Sequence, residues 1–118
     1  MSCLFNSLSY FVSIDPHKLR QEICDYLQQN KPIIDGLDTN TILKMEESNY
    51  IHKMRQSTTQ GGAIEIQVAC NIWNFKCIVK NIRNEDGKDI VFLPIHTKIE
   101  KNIIITWNGG HYEPVKVV

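Results

Sequence analysis

A chain of 118 residues with 42% apolar residues is long enough to fold as one domain, 1–118, around a substantial core. Thirteen Lys and Arg balance thirteen Asp and Glu, interspersed without long runs of one sign, and this excludes the positive surplus of a general nucleic-acid or anionic-membrane binder. No apolar stretch approaches the roughly 20 residues of a membrane span, and the Met1 end has neither the basic region nor the cleavage site of a secretory signal.

The chain opens with an amphipathic helix from Cys3 to about Ser13. Leu4, Phe5, Leu8, Phe11 and Val12 form its apolar stripe, with Asn6, Ser7, Ser9 and Ser13 on the other side and Ser2 as N-cap. A second helix starts where Asp15 caps and Pro16 takes the first turn, and it buries Leu19, Ile23, Tyr26 and Leu27. It stops near Asn30, because the residue before Pro32 resists helical backbone angles.

Residues 31 to 48 are polar, with turn residues at Asp35-Gly36 and a short helix over Thr39 to Glu47. Asn49 to Met54 makes another turn or two, with Tyr50, Ile51 and Met54 facing inward. Gln60-Gly61-Gly62 then breaks the chain. Ala63 to Trp73 follows as an apolar helix whose polar residues are Glu65, Gln67 and Asn71, so it is expected to lie mostly buried. Beyond Phe75 the pattern becomes that of strands: Cys77 to Val79, Ile90 to Leu93, Ile103 to Trp107 and Tyr112 to Val117. Turn residues Glu85-Asp86-Gly87 and Asn108-Gly109-Gly110 separate them. Helices first and strands after define an α+β fold with a small, largely antiparallel sheet.

Two segments carry chemistry. A thiol at a helix N-terminus meets amide donors and a dipole that favour the thiolate, which makes Cys3 a candidate nucleophile. His111 is a candidate base. On a strand, His111 and Glu113 point the same way, about 6 to 7 Å apart along the backbone, so the carboxylate can orient the imidazole. Gly109-Gly110 lets the backbone approach a bound peptide or completes a hairpin turn. The same residue types also fit a small buried cysteine and a structural histidine. Cys24, Cys70 and Cys77 sit in apolar patterns and read as core, and His17, His52 and His96 have no matching partner. The four cysteines form no CxxC pair, so the thiols are expected to be reduced and the compartment cytosolic. The abundance of Ile, Asn and Lys suggests an AT-rich genome, viral or protist.

Three blocks resemble the OTU (ovarian tumour) family of cysteine proteases. Cys3-Leu4-Phe5-Asn6-Ser7-Leu8 resembles the family's Asp-Gly-x-Cys-Leu-Phe segment. Tyr50-Ile51-x-x-Met54 followed by Gly61-Gly62-Ala63-Ile64-Glu65-Ile66 resembles its Tyr-x-x-x-Met and Trp-Gly-Gly-x-x-Glu-aliphatic block. His111-Tyr112-Glu113-Pro114-Val115 resembles its closing His-Tyr-acid/Asn-x-Val. The resemblance implies a small mixed sheet between helices, with Cys3 as nucleophile, His111 as general base, Glu113 as orienting residue, and no metal or cofactor. The implied activity is hydrolysis of the isopeptide or peptide bond after the C-terminal glycine of ubiquitin or a ubiquitin-like modifier. The partners would be that modifier and ubiquitinated proteins, with no nucleic acid or membrane, in the cytoplasm (the host's, for a viral protein).

There are three departures. The family's Asp-Gly, whose aspartate helps build the oxyanion hole, falls at and before Met1. Gln60 stands where Trp is usual, and Glu113 is one methylene longer than the common Asp. The alternative they raise is a catalytically inactive relative that binds ubiquitin without cleaving it. A third alternative is a structural or interaction module.

Overall fold

The computed structural model describes residues 3–34, 38–83, 87–95 and 98–116. Ser2, His96, the turn residues at 35–36 and 85–86, and the strand end at Val117 lie outside the described residues.

Helix α1 (Cys3–Val12) buries Leu4, Phe5 and Leu8 and packs Phe11 and Val12 against the core, as its periodicity predicts. Ser7 departs from that pattern, being buried rather than on the polar side. Its hydroxyl donates to the Cys3 carbonyl at 2.8 Å, which removes most of the cost of desolvating it. Helix α2 (Pro16–Gln28) is capped by the Asp15 carboxylate, which accepts from the amides of His17 and Lys18. Its buried face holds Leu19, Ile23 and Leu27, together with Cys24 and Arg20. Helices α3 (Thr39–Glu46) and α4 (Tyr50–Met54) are short. Helix α5 (Ala63–Trp73) buries Glu65, Ile66, Val68, Ala69 and Cys70, and ends on Asn74 in the left-handed conformation.

Strands β1 (Phe75–Asn81), β2 (Ile90–Phe92), β3 (Lys101–Trp107) and β4 (Tyr112–Pro114) form one sheet in the order β2-β1-β3-β4. The two outer pairings are antiparallel, but the longest, β1 with β3, is parallel, so the sheet is mixed. After β2 runs back along one edge of β1, the chain crosses to the other edge and enters β3 in the direction of β1. Phe75, Cys77 and Val79 of β1 and Ile103 and Ile105 of β3 share the buried face, with Cys77 opposite Ile103 and Val79 opposite Ile105. Helix α5 packs on β1 and β2, while α1 packs on β4 and on α2. This last contact positions the site. Strand β4 ends at Pro114, which lacks an amide donor, although Val115 still donates to the Ile104 carbonyl at 2.9 Å.

Candidate active site

The N-terminal residue of α1 and the start of β4 meet at a surface cleft of about 490 Å³. Cys3, Asn6, Ser7 and Tyr10 line one wall, and His111, Tyr112, Glu113, Pro114 and Lys116 line the other. The structure thus brings together all three residues that the sequence nominates. His111 lies in the turn just before β4 rather than on the strand, and its ring still comes close to the Glu113 carboxylate two residues on. His111 Nε2 stands 3.4 Å from Glu113 Oε1, with the two side chains 52% and 68% exposed. Glu113 engages Nε2, which leaves Nδ1 as the ring nitrogen available to a thiol. Among the described residues, no three His, Cys, Asp or Glu side chains cluster as a metal site.

Cys3 differs from the other thiols in accessibility. It is partly exposed, whereas Cys24, Cys70 and Cys77 are fully buried. Burial pushes the Cys24 thiol up to about 11 and the Cys70 thiol up to about 12, and raises Cys77 further. Those three are held as neutral thiols inside the core.

The turn before His111 is built by Asn108. Its side-chain oxygen accepts from the amides of Gly110 (3.1 Å) and His111 (2.8 Å), and its own amide donates to the His111 carbonyl. Gly109 has a φ of +104° and so takes a conformation that L side chains rarely adopt. The turn completes the β3–β4 hairpin, in which Trp107 pairs with Tyr112.

The middle block backs the cysteine helix. A Cβ on Gly61 would lie 2.8 Å from Leu4 Cδ2 and 2.9 Å from the Phe5 ring, so only glycine permits this approach to α1. Glu65 is fully buried; it accepts from Tyr50 Oη at 2.6 Å and from the Gly62 amide at 2.8 Å. Burial raises its pKa against these bonds and against the charge of Arg20. Arg20, also buried, stacks 4.0 Å over the Phe5 ring and donates to the Met54 carbonyl at 2.7 Å. In the sequence Glu65 is a polar residue of its helix and part of the Gly-Gly-x-x-Glu block, and Asn108 is a turn residue, but neither pattern gives the buried carboxylate or the side-chain bonds of Asn108. Glutamate at the third helical position and Asn before Gly-Gly are recognisable cap and turn chemistry. Nothing in the local pattern marks Arg20 as buried.

A thiol at a helix start, an imidazole with a carboxylate behind it, and an α+β scaffold together define the cysteine-hydrolase class of site. Residues 2–113 match the OTU-like cysteine protease family, to which the chain belongs. Solved structures of similar fold include the OTU domain of OTUD1 (19% identity, TM-score 0.67, 98% of this chain and 79% of that one). The viral OTU domain protease of Dera Ghazi Khan virus is another (16%, 0.70, 99% and 75%). A third is an OTU deubiquitinase from Wolbachia pipientis wMel bound to ubiquitin (17%, 0.68, 98% and 89%). No curated protein matches the chain.

Proposed function

We propose that this chain is a cysteine-type deubiquitinase, acting in the cytosol on ubiquitin or a ubiquitin-like modifier through Cys3, His111 and Glu113. The observation that carries the reading is the cleft in which the partly exposed thiol shares a wall-to-wall space with a carboxylate-paired histidine. Family membership and the ubiquitin-bound Wolbachia relative support the choice of substrate. His111 takes the Cys3 proton, and the thiolate adds to the carbonyl carbon of the modifier's last glycine. The imidazolium returns the proton to the leaving amine, giving a thioester. Water, deprotonated by His111, then releases the modifier's carboxylate and regenerates the thiol. Glu113 holds the ring and faces the imidazolium while it is charged.

A ubiquitin probe ending in an electrophile tests this directly. Mass spectrometry should find the adduct on Cys3 and on no other cysteine, and a Cys3→Ala variant should give none. An adduct on Cys24, Cys70 or Cys77 with Cys3 free would overturn the site. Binding of ubiquitin without any adduct or turnover would instead identify an inactive ubiquitin binder.

A further inference from the structure

Cys3 and His111 come from opposite ends of the chain, and a site made from them needs something that sets one against the other. The segment 60–62 touches both. Gly61 is wedged against Leu4 and Phe5, the two residues that follow the candidate nucleophile. One residue earlier, Gln60 Nε2 donates to the carbonyl of Gly110, the residue immediately before the candidate base, at 3.3 Å. Glu65 anchors the segment by binding the Gly62 amide from inside the core. A chain of contacts therefore runs from the start of α1, through Gly61 and Gln60, to the turn that presents His111.

We infer that Gln60 is a positioning residue, whose amide sets the His111-bearing turn against the cysteine-bearing helix. The inference rests on the proposed pairing of Cys3 with His111 and adds a residue to it. Asn108 fixes the turn internally, through the amides of Gly110 and His111. It does not tie the turn to the other half of the site, and the Gly110 carbonyl points away from that internal network to the Gln60 amide. The charged or titratable groups sharing the cleft with His111 are Cys3 and Tyr10 from α1 and Tyr112, Glu113 and Lys116 from the β4 segment. Gln60 adds no charge to this set. Its removal changes the imidazole's placement and leaves the charges around it unaltered.

The test reads Cys3 alkylation by iodoacetamide against pH, peptide by peptide, in the wild type and in His111→Ala, Gln60→Ala and Gln60→Met. Methionine keeps the length of the side chain but cannot donate. His111→Ala should lower the rate of Cys3 labelling near neutral pH. Both Gln60 variants should fall in the same direction as His111→Ala, by about two- to tenfold at pH 6.5, the worth of one neutral hydrogen bond. Melting temperatures should fall by no more than the few degrees that one exposed hydrogen bond is worth. Wild-type profiles in both Gln60 variants beside an altered His111→Ala would overturn the inference alone, as would a loss in Gln60→Ala that Gln60→Met does not share. A wild-type profile in His111→Ala would remove the pairing itself, and the inference with it.

Discussion

Placed at the first residue of α1, Cys3 keeps part of its surface in the cleft, while its three counterparts sit where strands and helices meet. The environment of each thiol thus follows from its place in the fold. The histidine side of the pair is weighted unevenly between its two residues. Replacing His111 by Ala should lower turnover by about 10²- to 10⁴-fold, because the thiol then loses its general base. Glu113→Gln should cost less than about tenfold. Its contact with His111 is 3.4 Å long and largely solvated, and such exposed pairs couple weakly. Steady-state rates on a fluorogenic ubiquitin substrate measure both. Equal losses would show that Glu113 orients the ring far more strongly than its exposure implies.

At the level of elements, the middle block holds the cysteine helix in place. Gly61→Ala would push a methyl group into Leu4 and Phe5. We expect a loss of ~1–3 kcal/mol, as for overpacking in a core, and slower Cys3 chemistry in the fraction that remains folded. Gly62→Ala is the comparison, since its Cβ would meet nothing within 4 Å and it loses only the N-cap preference of α5. Thermal melts on the pair would decide, and equal stability of both variants would refute the wedge. Why Gly61 and Glu65 matter was only half legible in the sequence. Helical periodicity placed α1, α2 and α5 and most of the buried faces of α1 and α2, because apolar spacing records which side meets the core; on α5 the fully buried residues are Glu65, Ile66, Val68, Ala69 and Cys70. It could not place the Arg20 guanidinium beneath Phe5 or the Glu65 carboxylate beside Tyr50. Those burials depend on partners 34 and 15 residues away, Met54 and Tyr50. The direction of β3 was hidden for a similar reason. Turn residues announce antiparallel neighbours, whereas the parallel β1–β3 pairing is set by a crossover around β2.

Across the whole molecule, Cys24 on α2, Cys70 on α5 and Cys77 on β1 place three buried thiols in a core shared by helices and sheet. Their folded-state pKa values lie above the ordinary 9.0, at about 11 for Cys24, about 12 for Cys70, and higher again for Cys77. Above pH 9 an unfolded chain ionises these thiols while the folded chain keeps their protons. Stability is therefore fully present below pH 9 and falls as pH rises, by at most ~1.4 kcal/mol per pH unit for each thiol. The half-buried Tyr50 phenol, also raised by desolvation, adds to the same loss from about pH 10 upward. Melting temperature should thus decline steeply between pH 9 and 11. Cys70→Ala separates the thiol contribution from that of the phenol. It should be less stable than the wild type at pH 8 because it leaves a cavity, yet it should lose less on going to pH 10.5. If wild type and variant lose the same amount over that interval, ionisation of the core thiols is not what limits the fold in alkali.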